Sequence, residues 1–574
     1  MKKILLICSI SLSFSSWAQF TTPGNGSKFS LSNLVAISQG TIIQAGNHYL
    51  LQNNLTIATT DTLSIETDDS VLVSSDVLIT INGVMLCTPP NKVVFRANDT
   101  TTFFIGFRFE NSNGSRLEKT HIEFAGGNKV IGSNVQFINC RFYKNNYNHA
   151  SGALDIFQCN PIIYQCEFIE NQRSAILSAA NAYASPSIIN STFIRNSTLN
   201  TNRPQINLGA GNADMPLIIR GNRIEGGFSA VGGLSVLMLM PNSMTAIIDS
   251  NIIVNNRYGI NIQGNGILYT ITNNQIRNNN LETNPMNGGS GISFNGLNSG
   301  YITNNLITGN LWGVTILNGA MPNLGQPEAT IPNPGLNKIF NNGNSGNVYN
   351  LYNNTSGEIY AQNCYWGTND VAIAEDGIWH YPDNSLLGEV HYLPIYQLSS
   401  EKEILSFSLT DGENTFPGEI VDHNISVTVP ENTNITSLAA WFTLSPRALA
   451  YVDTVLQIPG FTRNNFSEPV VYTIVAEDTS TAQYTVTVSI QTETSAAIAQ
   501  KISYNPNPVK NILNISSADI IRYVEILDIN GTTKYNNKPE NNFIQLNLSN
   551  LTDGVFIVKL IFDDRMETIR IIKD

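Results

Sequence analysis

The sequence predicts an all-β protein: a right-handed parallel β-helix followed by two small β-sandwich domains. Three observations carry the prediction. First, a six-residue phrase returns at residues 140–145, 166–171, 191–196, 251–256, 274–279, 305–310 and 337–342, with a weaker copy at Asn222-Arg223-Ile224 in which Gly227 replaces the closing Asn. From Phe142 onward its large apolar residue steps by 26, 25, 31, 29, 23, 31 and 32 residues. A period of roughly 20–50 residues marks a stacked repeat in which each unit supplies one layer of a shared core. Second, charged residues make up only 13% of the 574 positions, about half the usual share of roughly 25%. Asn, Ser, Thr and Gly, the residues of turns and ladders, take their place. Third, beyond residue 400 the repeat gives way to longer runs of strict alternation, the pattern of half-buried antiparallel strands.

The elements follow in order. Residues 1–18 read as an export signal: Lys2-Lys3, an apolar run over residues 4–14, and a Ser16-Trp17-Ala18 cleavage site. Cleavage after Ala18 leaves Gln19 as the mature N-terminus. Cys8 lies inside the apolar run, which argues against a lipoprotein, and no other apolar stretch is long enough to cross a bilayer. A formal net charge of −13 argues against a nucleic-acid partner, which calls for a basic face.

Residues 19–398 are assigned to the β-helix. Leu55-Thr56-Ile57, Leu63-Ser64-Ile65, Val71-Leu72-Val73 and Leu78-Ile79-Thr80-Ile81 form its first short strands. Side chains alternate across a strand. Phe142, Phe168, Phe193, Ile253, Ile276, Ile307 and Ile339 are therefore expected to point inward, with Cys140, Cys166, Ser191, Asn251, Asn274, Asn305 and Asn337 two residues before them. Stacked Asn side chains form a ladder of amide hydrogen bonds. The closing Asn145, Asn171, Asn196, Asn256, Asn279, Asn310 and Asn342 are expected to turn the corner in left-handed backbone. Handedness rests on the crossover rule. The rungs are expected to end near Gln362-Asn363-Cys364-Tyr365-Trp366-Gly367, with Trp379, Tyr381 and Tyr392 folding over the open end. An aromatic platform for a sugar ring is the alternative use of those rings.

Residues 399–491 read as a sandwich, with strands at residues 425–429, 470–475 and 484–488, the last two flanking the polar turn at 477–481. Asp411 and Glu413 read as solvated turn residues rather than a calcium pair, and no cofactor is expected. A linker rich in small residues spans 492–501, and a last β domain spans 502–574.

Several of these stretches resemble known families. The cadence of the first rungs, and the Asn-x-Tyr-Trp-Gly phrase at residues 363–367, are similar to the opening and closing of bacterial right-handed β-helix domains. Pro469-Val470-Val471-Tyr472-Thr473 with Tyr484-Thr485-Val486-Thr487-Val488 resembles an immunoglobulin-like module of exported Bacteroidota proteins. Asn505-Pro506-Asn507-Pro508, Leu513-Asn514-Ile515, the run 551–559 around Gly554 and the terminal run ending at Lys573 resemble the type A sorting domain of the type IX secretion system, with Phe556 where tyrosine is common. That resemblance implies handling by the type IX machinery and its sortase. Pro506, Asn507, Pro508, Gly554 and Lys573 are the matching motif positions, and the protein is expected outside the cell or on its surface.

Chemistry is sparse. Asp155, Asp214, Asp249 and Glu282 share no rung position, and His149 near Asp155 is a lone loop histidine. The scattered histidines argue against a metal cluster. Cys140 and Cys166 stack at about 4.8 Å and read as buried thiols, with a disulfide as the alternative that export permits. Arg141 with Glu167, and Lys144 with Glu170 and Arg195, read as outward charge columns that set register. The functional expectation is a secreted or surface protein that binds or adheres to carbohydrate or surface polymers without chemistry of its own. A polysaccharide lyase or glycoside hydrolase acting on an acidic polysaccharide is the alternative, since fold alone does not decide.

Overall fold

The computed structural model describes residues 19–146, 148, 151–491 and 502–574. The proposed signal, the Ala18 side of its cleavage site, His149 and the linker 492–501 lie outside the described residues. The chain divides into two compact units, Met1–Gln397 and Leu398–Asp574.

The first unit is a parallel β-helix. Each coil gives one strand to each of three sheets, which contain 14, 13 and 14 strands. The inward side chains form one continuous apolar core running from Phe29 to Ile395. In the middle sheet Phe142 pairs with Phe168 and Phe168 with Phe193, and the column continues through Ile224, Ile253, Ile276, Ile307 and Ile339. The three phenyl rings lie nearly parallel, with centroids 4.5 and 5.0 Å apart.

Middle-sheet strands in the repeat region are only three residues long, because a corner stands at each end. Here the expected chemistry of the closing Asn is corrected. Left-handed backbone belongs to the residue before it: Lys144, Glu170, Arg195, Asn255, Asn278, Gly309 and Asn341 all have φ between 51° and 71°. This bend turns the following Asn inward, where it is buried. The result is two ladders, one along each edge of the middle sheet. The first runs from Asn222 through Asn251, Asn274 and Asn305 to Asn337, each Nδ2 donating to the next Oδ1 over 2.9–3.0 Å. The second runs along the closing Asn residues from Asn145 to Asn342. Where Gly227 lacks the amide, Gln205 reaches in from the preceding loop. It accepts from Asn196 at 3.0 Å and donates to Asn256 at 2.9 Å, so the ladder stays continuous.

Both ends of the coil differ from expectation. At the start, the helix Leu31–Ile37 follows an N-cap at Ser30 that forms a capping box with Asn33. It buries Leu31 and Leu34 in the core. At the other end the coil continues past Gly367. Ile378–Trp379 adds to the first sheet and Val390–His391 to the third. His380 lies buried there, its Nδ1 accepting from the Val390 amide at 2.9 Å, so its Nε2–H faces Glu375 at 3.0 Å. Tyr392 packs on the core, whereas Tyr381 is exposed.

In the second unit, residues 404–491 form the expected sandwich around a core centred on the fully buried Tyr472, which packs edge-on to Phe407 at 5.4 Å. Val470–Val475 and Thr481–Gln491 make the predicted hairpin. Residues 503–573 form a three-stranded and a four-stranded sheet enclosing a separate apolar core.

Candidate functional site

Each strand of the first sheet in the later coils follows one phrase: Gly233-Leu234-Ser235-Val236, Gly259-Ile260-Asn261-Ile262, Gly291-Ile292-Ser293-Phe294 and Gly313-Val314-Thr315-Ile316. The glycine passes over the closing Asn ladder. A Cβ on Gly291 would lie 2.6 Å from the Ile307 side chain and 2.9 Å from Asn310 Nδ2. The two apolar residues point into the core, so the polar residue between them faces outward. The register carries this outward column from Ser235 through Asn261, Ser293, Thr315 and Tyr352 to Trp379.

At its C-terminal end the column becomes aromatic. Trp312 lies 4.6 Å from Tyr349 and 5.0 Å from Tyr352, and Tyr352 stacks on Trp379 at 6.3 Å and 20°. All four rings are half-buried. The Trp312 indole N–H donates to Pro285 O at 3.0 Å, which fixes the ring against the loop that precedes the neighbouring strand Ser290–Asn295. Trp379 therefore sits on the outer face of a sheet. It lies on the last strand of that sheet and is not folded over the open end of the coil. Trp312, Tyr349 and Tyr352 escape a reading based on the middle-sheet repeat. The second phrase, Gly-apolar-polar-apolar, marks the strand that begins at Trp312, whereas the strand of Tyr352 reads Asn350-Leu351-Tyr352-Asn353 and departs from it.

The acidic residues do not gather. Asp155 faces outward on the first sheet and Asp249 on the third, while Asp214 and Glu282 lie in loops. Burial pushes the Asp155 carboxyl up, opposed by the Ser151 amide and by Lys129 in the adjacent coil. Asp249 is saturated by Arg220, Thr272, Asn273 and Ser250. Among the described residues no group of three or more His, Cys, Asp or Glu is placed to hold a metal ion. Asp411 accepts from the amides of Glu413 and Asn414, an ordinary turn. Cys140 and Cys166 are buried free thiols donating to Leu117 O and Phe137 O at 3.2 and 3.3 Å, and burial raises the Cys166 thiol. The charge columns hold in part. Arg141 lies 3.7 Å from Glu167 and Lys144 3.6 Å from Glu170, but Arg195 sits over the Phe228 ring instead.

In the last domain, Asn507 clasps the final strand, donating to Arg570 O at 3.0 Å and accepting from the Ile572 amide at 2.7 Å. Gly554 pairs with Lys573 across the last two strands. Lys573 is nearly buried, its Nζ 3.4 Å from Asp553. Asn507 thus holds the edge strand that ends at Lys573, Gly554 pairs with Lys573 from the next strand in, and Pro506 and Pro508 flank Asn507. Gln19 is exposed and reaches Thr56.

Comparison with known proteins agrees with this architecture. Residues 404–488 match the family described as SGBP, N-terminal, and residues 503–574 match the secretion system C-terminal sorting domain. Among curated proteins nothing matches the chain. A solved structure from Bacteroides thetaiotaomicron, described provisionally as a glycoside hydrolase, is similar at 17% identity over 31% of this chain and 83% of that one, with a TM-score of 0.15. That likeness is too weak to bear on function. The class these findings define is a secreted or cell-surface β-helix protein of Bacteroidota type. It carries an immunoglobulin-like module that matches the family described as SGBP, N-terminal, and a type IX sorting domain.

Proposed function

We propose that the protein binds carbohydrate at the cell exterior without chemistry of its own, using the outer face of the first sheet. The observation that carries this reading is the cluster Trp312, Tyr349, Tyr352 and Trp379, held on a rigid sheet beside a column of hydroxyls and amides. Aromatic rings offer a large apolar face at low conformational cost, and the C–H face of a pyranose is its complement. The test is a glycan array probed with the mature chain, followed by titration of the best ligand. Trp312→Ala or Trp379→Ala should weaken binding about tenfold, equivalent to about 1.4 kcal/mol. Unchanged affinity in both variants would remove the face from consideration.

Export is assigned to the last domain. The clasp made by Asn507, with Gly554 and Lys573 beside it, is the surface proposed for the type IX machinery and its sortase. Asn507→Ala should leave precursor inside the outer membrane, read by blotting surface and periplasmic fractions.

One observation favours the enzymatic alternative. Asp155, its carboxyl raised by burial, stands beside Lys129 on the first sheet. Its other outward neighbour is Leu177, so the second carboxylate that hydrolysis requires is not at hand. Unsaturated products or new reducing ends from pectin, alginate or glycosaminoglycan would establish that alternative.

A further inference from the structure

Resting on the glycan-binding reading, we infer that the ligand of the first sheet is an uncharged polysaccharide lying along the coil axis. The six strands concerned run from Leu234–Met238 to Ile378–Trp379. Every outward position on them is uncharged. Ser235, Asn261, Ser293, Thr315, Tyr352 and Trp379 make the inner column, and Leu237, Gln263, Asn295, Leu317 and Asn354 make the outer one. The second sheet lacks this character, while the third shares it only beyond Asp249, where Thr270, Ser299, Tyr301 and Asn323 face outward. Nearby coils place Arg223, Glu225, Arg277 and Lys338 on the outside of the second sheet, and Arg220 and Asp249 on the outside of the third. Earlier in the first sheet, charge is present too, at Arg108, Glu110, Lys129 and Asp155.

Two of the ionic groups in the bordering loops are held by neutral partners. The Arg257 guanidinium bonds to Asn287 O and to Asn202, and Glu282 accepts from the Asn284 amide. Binding a uronate or sulfate calls for charge-assisted donors from Arg or Lys, and a desolvated anion without them is costly. Amides and hydroxyls donate and accept at once, which suits the mixed hydroxyls of a neutral sugar. Ser235 and Thr315 are buried, the latter 3.0 Å from Ser290. Asn261, Gln263, Ser293 and Asn295 therefore offer the polar contacts between the rings. Coils repeat at about 4.8 Å, close to the length of one pyranose in an extended chain, so a polymer along the axis meets an equivalent position at each sugar.

The experiment is isothermal titration of the mature full-length chain at low and high salt. The probes are neutral polymers (xylan, mannan, mixed-linkage glucan, laminarin, starch) and acidic ones (polygalacturonate, alginate, chondroitin sulfate). The expected result is binding to a neutral polymer that changes less than twofold between 50 and 500 mM NaCl. Affinity should also rise with oligosaccharide length up to about six units. Gln263→Trp, an exposed substitution that leaves the core untouched, should weaken binding about tenfold or more by occupying the face. A ligand that is acidic and lost in high salt would overturn the inference while leaving glycan binding intact. No binding by any polymer would overturn both. A neutral ligand indifferent to Trp312→Ala, Trp379→Ala and Gln263→Trp together would overturn the placement on this face.

Discussion

Replacing Asn274 with alanine should destabilise the β-helix by about 3–5 kcal/mol, because one side chain links five polar atoms across three coils. Its Oδ1 accepts from the Asn251 amide and from Asn251 Nδ2, each at 2.9 Å. Its Nδ2, with two hydrogens, lies 2.9 Å from Ile248 O, 2.8 Å from Thr272 O and 2.9 Å from Asn305 Oδ1, so one hydrogen is shared between two of these acceptors. Truncation leaves the buried Asn251 amide without its acceptor, at about 1–3 kcal/mol for an orphaned buried donor. Asn251 Nδ2 keeps Ile219 O and so loses less. The carbonyls of Ile248 and Thr272 lose a donor, and a small cavity opens. Asn274→Asp should cost more, since a carboxylate would face three acceptors. Part of that loss should return at low pH, where the protonated acid donates one hydrogen bond. The assay is urea denaturation of the mature chain, following the β-helix transition. Gln275→Ala, the exposed neighbour on the same strand, serves as control and should stay within about 0.5 kcal/mol. Equal midpoints for the Asn274 and Gln275 variants would refute the claim that the amide ladder holds the coils together.

Further outcomes follow from the same geometry. Phe168→Ala removes the middle ring of a stack spaced at 4.5 and 5.0 Å and should cost about 3–5 kcal/mol in the same assay. Gln205→Ala should cost about 2–4 kcal/mol by separating Asn196 from Asn256, and Gln205→Asn should not restore it, being one methylene short. Asp61 is buried, which raises its pKa, but bonds from Thr22 and the amides of Gly24, Ser27 and Gly26 outweigh this and hold the carboxyl below its ordinary range. Its stabilisation is therefore full above about pH 4 and lost as pH falls through the depressed folded-state value. Asp61→Asn should flatten that acid limb in a melting series from pH 7 to pH 2.5. Arg141→Ala should cost about 1 kcal/mol, because its pairing with the exposed Glu167 is long, 3.7 Å, and what remains to lose is its contact with the Tyr143 ring.

What could be read from the chain and what could not divide along a physical line. Which side of a strand faces inward is a local property with a period of two, so the Phe and Ile column and the opening Asn ladder were legible. The direction of a corner is less so. Asn tolerates left-handed backbone, yet the bend falls one residue earlier, on Lys144, Glu170 or Arg195, because only then does the Asn side chain reach its neighbours in the stack. The helix Leu31–Ile37 and the final strand at Val390–His391 were hidden because no repeat phrase marks the ends of a solenoid.

The sequence by itself determined a stacked, charge-poor coil bearing an export address, since burial parity, repeat period and the terminal motif all act over short spans. Only the tertiary structure decided that Gln205 replaces a missing Asn and that Trp312, Tyr349, Tyr352 and Trp379, up to 67 positions apart in the chain, meet on one uncharged face. Loops of unequal length separate the strands, so lateral neighbours are chosen by the pairing of whole coils, and no local pattern encodes that.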